Sequence, residues 1–351
     1  MYAKQPKKLL IINILDILRK YTDEDHRLSQ KDIIDILKQE YNMSADRKAV
    51  KRNIMELIES GYDIEYSESI RMSPNPKTGE LEENSILSDF YLVREITDSE
   101  LRLLIDSVLF SKHIPYSQCR ELIEKLEKLS NVYFRSRTRH VCNLPQDMPA
   151  NPQLFYTIEV LDEAISRGKQ VSFHYNDFDT DKRLYPRKRS SGADRLYIVN
   201  PYQMVAALGH YYLICNYDKY DNVSNYRLDR ITNIALLDTP AKPMAQVNGL
   251  ANGLDLPRHM AEHIYMFPGE SAPVTFTAKK YLVSELIDWF GQDLQFLSET
   301  EDEVTARVTV NLEAMRRWAL QYALHARVTA PQHLVDLVRE DVRKAVEQYG
   351  L

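Results

Sequence analysis

The chain has 351 residues, 44% of them hydrophobic and 27% charged, with a formal net charge of -6. Such a length exceeds one ordinary domain and sets an expectation of about two to three, while the acidic balance excludes a protein that coats nucleic acid over its whole surface and leaves room for a local basic face. The cysteines Cys119, Cys142 and Cys215 are odd in number, far apart and without a Cys-x-x-Cys pair, which excludes a disulfide framework and a cysteine-based zinc site and fits a reducing cytosol.

At the N-terminus, Leu10, Ile11, Ile14, Leu15 and Leu18 form a helical stripe. Asn13, Asp16 and Arg19 interrupt it at helical spacing, so it reads as a helix and not as a signal peptide. Ser29 is placed to cap a second helix carrying Ile33, Ile34, Ile36 and Leu37, which ends near Tyr41 and Asn42, where asparagine takes the left-handed cap. Ser44 then caps a third, with Val50, Ile54, Leu57 and Ile58 on one face and Gly61 at its end. Three helices with a short turn between the second and third predict a helix-turn-helix. Its recognition edge is Ser44, Arg47, Lys48, Lys51 and Arg52, diluted by Asp46, Glu56 and Glu59. Arginine there suits guanine edges and lysine suits phosphate, whereas the bland alternative is a solvated helix face.

Alternation in Tyr62–Tyr66 and again in Phe90–Val93, around the turn residues Asn75 to Gly79, predicts a wing whose Arg71 and Lys77 reach backbone phosphates. Thr97 to Glu100 opens two amphipathic helices, one through about 113 and one over 116–129, read as a stiff bridge. Arg135, Arg137, Arg139 and His140 alternate, which makes a one-sided basic strand if that stretch is extended, or simply a charge-protected edge.

Pro152 to Gly168 reads as a glycine-capped helix, and Val171 to Tyr175 as the first strand of a small barrel or sheet, with Phe173 facing one side and His174 the other. The loop after it crowds Lys182, Arg183, Arg187, Lys188, Arg189 and Arg195. Tyrosines and β-branched residues then alternate in runs cut by Asn200-Pro201, Gly209-His210 and Asp221-Asn222. Although 196–217 holds no charge, Asn200, Pro201, Gln203, Gly209 and His210 make it two strands and a turn instead of a membrane span. Cations interleaved with aromatics are the composition of a nucleotide or single-stranded nucleic-acid site. The candidate ligand residues are His174, Tyr185, Arg187, Lys188, Tyr202, Tyr212, Arg227 and Arg230, although Asp229 is placed to pair with a neighbouring arginine.

The order Pro186, Asn200-Pro201-Tyr202, Gly209-His210-Tyr211-Tyr212-Leu213 and Tyr226-Arg227-Leu228-Asp229-Arg230-Ile231 resembles the WYL domain, with Tyr211 where that family has tryptophan. The resemblance implies a Sm-like, SH3-like β-barrel behind a bacterial DNA-binding helix-turn-helix, and a homodimer. After a connector with Gly249 and Gly253, the elements from Pro273 follow a βαββαβ order, that of a ferredoxin-like module, and a last helix over 331–349 closes the chain. Trp318 and the step Arg327-Val328-Thr329-Ala330-Pro331 resemble the C-terminal extension that usually follows a WYL domain.

His259-Met260-Ala261-Glu262-His263 formally matches His-x-x-Glu-His, in which two histidines four apart share a helix face. No third ligand is evident, and a short helix packed beside the barrel is the simpler account. Phosphate-loop, dinucleotide-loop and nucleophile-elbow patterns are absent, so neither an enzyme nor a cofactor is expected. The fold expected is α+β and multidomain: winged helix-turn-helix over 1–95, helical linker over 96–150, barrel over 151–240, connector over 241–270 and a dimerising ferredoxin-like module over 271–351. The function expected is a cytoplasmic, ligand-responsive transcription regulator that grips a double-stranded operator and senses a nucleotide or nucleic-acid fragment, with no membrane partner. The alternative is a single-stranded DNA- or RNA-binding accessory protein of a defence system.

Overall fold

A computed structural model describes residues 6–74, 81–109, 111, 114–137 and 151–350. The chain divides into two compact units of mixed helix and sheet, Met1–Phe110 with Tyr116–Asp147, and Ser111–Pro115 with Met148–Leu351.

The first unit opens with α1 (Leu10–Tyr21), α2 (Gln30–Glu40) and α3 (Arg47–Glu59). Ser29 and Asp32 form a reciprocal capping box at the start of α2, and Asn42 takes a positive φ of 49° just beyond its end. The cap of α3 corrects the expectation for Ser44. The Asp46 carboxylate accepts from Ala49 N at 2.8 Å, so the helix starts later and Ser44 stands exposed before it. Aspartate caps as well as serine does, and here it lies next to the first helical residue. Ile14, Ile17, Leu18, Ile33, Leu37, Val50 and Ile54 bury completely against one another.

A hairpin of β1 (Ile64–Pro74) and β2 (Leu81–Leu92) follows, antiparallel in the register Ile64 to Leu92. Phe90 joins the helical core and exchanges backbone bonds with Leu28 at 2.9 and 3.0 Å, which ties the hairpin to the helices. Lys77 lies outside the described residues. Next come α4 (Asp98–Leu109), started by a Thr97–Glu100 box, α5 (Tyr116–Glu127) and α6 (Val132–Arg137). The extended reading of the basic stretch is corrected over its described part, which is helical. Asn131 Oδ1 accepts from Tyr133 N and Phe134 N at 3.0 and 2.9 Å, and Phe134 buries against Leu101 and Ile105. A cap and one core ring outweigh the alternation of arginines there; Arg139 and His140 lie outside the described residues.

In the second unit α7 (Leu154–Arg167) ends on Gly168 at φ 60° and leads into β3 (Lys169–Phe178). There follow β4 (Leu184–Pro186), β5 (Leu196–Ala207), β6 (His210–Tyr217), β7 (Val223–Arg227), a 3-10 turn over Leu228–Arg230, and β8 (Ile231–Pro240). The sheet runs β8-β3-β5-β6-β7, antiparallel throughout, and β4 pairs with the far end of β3. Leu208 and Gly209, both at positive φ, make the tight β5–β6 turn. Phe173 is fully buried at the centre of the sheet, with the Tyr197 and Tyr226 rings 5.7 and 5.6 Å away. Leu161 and Ala164 of α7 close this core.

The connector holds α8 (Leu256–Glu262). It is fixed to the sheet through a buried amide relay in which Gln170 donates to Asn200, Asn200 donates to Asn216, and Lys242 N donates back to Asn200 Oδ1 at 2.8 Å. The rest comprises β9 (Ser271–Lys279), α9 (Val283–Phe290), β10 (Gln295–Glu299), β11 (Glu303–Asn311), α10 (Leu312–Gln321), β12 (Ala326–Ala330) and α11 (Gln332–Gln348). Its antiparallel sheet has the order β10-β11-β9-β12. Phe276, Phe290 and Trp318 pack ring on ring at 5.1 to 5.7 Å beneath it. Among the described residues no helix is long and apolar enough to cross a membrane.

Candidate functional site

Two places gather the cations singled out by the sequence. On α3 the buried face is Val50, Asn53, Ile54 and Leu57, which leaves Arg47, Lys48 and Arg52 exposed on the opposite side with Ser44 just ahead of them. Among the described residues Arg47 and Lys48 have no ion-pair partner, and Arg52 meets Glu56 only at 3.7 Å. Lys51 turns aside, its Nζ donating to Ser85 O of β2 at 3.3 Å. Arg71 is exposed on the hairpin, but that hairpin also carries Glu65, Glu68, Glu83 and Asp89. Its charge therefore disfavours phosphate wherever Arg71 alone would attract it.

The second place is one end of the β8-β3-β5-β6-β7 sheet, where guanidinium groups lie over aromatic rings. Arg187 sits 4.9 Å from the Tyr175 ring centre, and Arg195 sits 4.6 and 5.5 Å from those of Tyr197 and Tyr217. Arg230 is 5.8 Å from that of Phe178. Carboxylates already hold most of these forks. Arg187 donates to both oxygens of Asp177 at 2.7 and 3.0 Å, and Arg230 reaches the same carboxylate at 3.4 Å. The Arg187 hydrogen bond keeps Asp177 below the usual carboxylate range. Arg227 grips Asp229 at 3.0 and 2.6 Å and also meets His210 Nδ1 at 3.1 Å. Asp229 is 7% exposed whereas the Asp177 side chain is 49% exposed. The Arg227–Asp229 pair is thus largely buried, and the Arg187–Asp177 pair is open to solvent.

The other candidates separate in the same way. Tyr185 is half exposed and donates to Asp181 at 2.7 Å, and Lys188 pairs with Asp194. His174 is half-buried, and its Nδ1 has no hydrogen-bond partner among the described residues. Tyr202 and Tyr212 correct the expectation that they face a ligand. Tyr202 is buried, donates to Lys242 O at 2.8 Å and has its phenol pushed up to about 12 by burial. Tyr212 is buried with Val205, Ile214 and Met266. Sequence reasoning left Arg195 and Asp177 out of the site; the interleaving of Arg195 with Tyr197 was the available signal for one, and none marked the other.

His259 and His263 stack with ring centres 4.1 Å apart, and burial lowers His259 to about 4. Glu262 is occupied by Arg258 at 2.7 Å. Among the described residues no group of three or more acidic, histidine or cysteine side chains is placed to hold a metal ion.

Residues 156–236 match the model of the WYL domain and residues 270–346 that of the WCX domain. WYL and WCX domains thus account for most of the second unit. Among solved structures, the chain is similar to "Proteasome accessory factor B/C (PafBC) of Arthrobacter aurescens" at 15% identity and a TM-score of 0.28, with 99% of this chain covered. It spans only 49% of that protein's length. A second similar structure is described as a CRISPR Cas-related protein, at 12% identity and a TM-score of 0.37, covering 100% of this chain and 88% of the other. No curated protein matches.

Proposed function

We propose that the protein is a ligand-responsive, DNA-binding transcription regulator of the cytoplasm, without enzymatic activity or cofactor. In this reading α1 to α3 with the hairpin act as a winged helix-turn-helix. The barrel is Sm-like, and the last module is ferredoxin-like, its strand order and βαββαβ sequence being those of that fold. The observation that carries the reading is the cationic edge of α3, where Arg47, Lys48 and Arg52 are exposed on a helix whose other face is anchored in the core. That is the geometry of a recognition helix that offers its first turns to the major groove. Two copies would place two such helices on a palindromic operator.

The WYL match supports a sensing role for the barrel, and its ring-backed arginines suit a phosphate-bearing fragment. Arg187 and Arg230 are the contacts, because their shared carboxylate is solvent-accessible and exchangeable. Arg227 holds the scaffold. A ligand acts on DNA binding only if it prefers one arrangement of the regulator.

The test starts with a duplex selected by the full-length protein from a random pool. Its affinity is then measured with and without a single-stranded oligonucleotide, in the wild type and in the double variant Arg187→Ala, Arg230→Ala. The oligonucleotide should change duplex affinity in the wild type alone. An equal response in the double variant removes the barrel from the mechanism, and failure to select any duplex removes α3. The stacking of Arg195 over Tyr197 and Tyr217 favours a second reading, a single-strand-binding accessory protein. Tighter binding of single strands than of any duplex, with a steep salt dependence, would select it.

A further inference from the structure

A cleft of about 920 Å³ opens where β7, the connector and the start of β9 meet, and none of the ring-backed arginines lines it. Its size falls within the range of small-molecule sites, roughly 300 to 1,000 Å³. What sets it apart is its polar atoms. Asn225 Oδ1, His259 Nε2 and Ser271 Oγ belong to residues of its wall and are buried with no hydrogen-bond partner among the described residues. Asn311 Nδ2 is in the same condition. It lies 3.5 Å from where a Cβ on the wall residue Gly269 would stand, and Asn311 is the cross-strand neighbour of Ser271.

Four such atoms among the described residues therefore gather around one cavity. Buried polar groups almost always find partners, so a cluster without them asks for something to fill it. Nor are the two amides free to turn away. Asn225 Nδ2 donates to Met266 O at 3.3 Å, and Asn311 Oδ1 caps α10 by accepting from Ala314 N at 2.9 Å.

The wall also narrows the chemistry of the occupant. It carries Asp255, Glu262 and Glu270 against the single cation Arg258, which is already paired with Glu262. Phosphates and carboxylates are disfavoured there. Apart from His259 and His263, no aromatic ring among the described residues lines the cleft, so a nucleobase finds no stacking platform. His259 is neutral at physiological pH because burial lowers it to about 4. The unpaired set contains a pure acceptor on Asn225, a pure donor on Asn311 and a hydroxyl on Ser271. A hydroxyl group both donates and accepts, so several of them on one ligand satisfy all of these at once.

We propose that this cleft binds an uncharged polyhydroxylated small molecule, a free sugar or related polyol, at the seam between the barrel and the C-terminal module. This second effector site is independent of the anion reading of the barrel.

The test is thermal unfolding and calorimetry of the full chain with D-ribose, D-glucose and myo-inositol at millimolar concentration, and with inorganic phosphate as the anionic comparator. At least one polyol should raise the melting temperature. In Ser271→Ala, which deletes only an unpaired hydroxyl, unliganded stability should be unchanged or higher, while polyol affinity falls about tenfold or more. His259→Phe should lose the polyol response too, and any phosphate response should survive in both variants. The proposal fails if none of the three polyols shifts the transition, if the shift persists in Ser271→Ala, or if a crystal soaked with the responding polyol holds only water in the cleft.

Discussion

The leading edge of α3 and the arginine end of the six-stranded sheet hold similar side chains in opposite states. On α3, Arg47 and Lys48 stand in solvent without carboxylates to answer them among the described residues. At the sheet, Arg187, Arg227 and Arg230 each meet an aspartate, and Arg187 and Arg230 also lie over aromatic rings. A solvated cation that neutralises a phosphate releases the counterions condensed on the nucleic acid, so binding there is long-range and salt-dependent. One already engaged by a carboxylate must exchange partners, so a ligand gains only the difference between its own geometry and that of the aspartate. The first arrangement suits a polymer met along its backbone, and the second suits a discriminating sensor.

The largest effect should come from the most buried pair. Asp229→Ala leaves the Arg227 guanidinium half-buried without its carboxylate, beside the neutral ring of His210, at a cost of roughly 3 to 5 kcal/mol. Urea unfolding of the full chain would measure it, and a loss under about 1 kcal/mol would mean that the pair behaves like a surface one. On α3 the expected cost falls on DNA and not on stability. Arg47→Ala should weaken binding to a selected duplex by about 1 to 3 kcal/mol and relax its sequence preference, whereas Lys48→Ala should lower the salt slope by about 1. A uniform loss across sequences for Arg47 would turn it from a base reader into a phosphate contact.

What was legible in the sequence is what is local. Ser29 with Asp32, Thr97 with Glu100, Asn42 and Gly168 each do what a cap a few residues away requires, and the βαββαβ order is a run of such local units. Partners across strands were not legible. Asp177 meets Arg187 ten residues on and Arg230 fifty-three residues on only because β3 pairs with β4 along one edge and faces the 3-10 turn. Tyr202 and Tyr212 stood in strands with rings on both faces. Tyr212 is buried in one cluster with Val205, Ile214 and the connector's Met266, and the distant Lys242 carbonyl accepts from Tyr202. No spacing within β5 or β6 carries that information.

The cap of α3 offers a smaller effect with two opposed signs. Asp46→Ala removes the acceptor for Ala49 N and should cost about 1 kcal/mol. It also removes an anion beside Arg47 and Lys48, so duplex affinity should rise while stability falls. Ser44→Ala should stay within about 0.5 kcal/mol of the wild type in stability. Equal destabilisation by both would return the cap to Ser44.

A small change in stability should accompany the most informative change in binding. Asp177→Asn removes an exposed ion pair and should cost less than about 1 kcal/mol, yet it frees Arg187 and Arg230 together. Affinity for a single-stranded oligonucleotide should then increase. The sign with pH follows from the hydrogen bond to Arg187, which lowers the folded pKa of Asp177 below its unfolded value. The pair's small contribution to stability is present above the unfolded value and is lost as pH falls through the folded one. Acidification through that window should therefore weaken the pair and strengthen oligonucleotide binding in the wild type, while Asp177→Asn shows no such rise. If the variant binds no better at neutral pH, the carboxylate is not competing with the ligand, and Arg187 and Arg230 are as structural as Arg227.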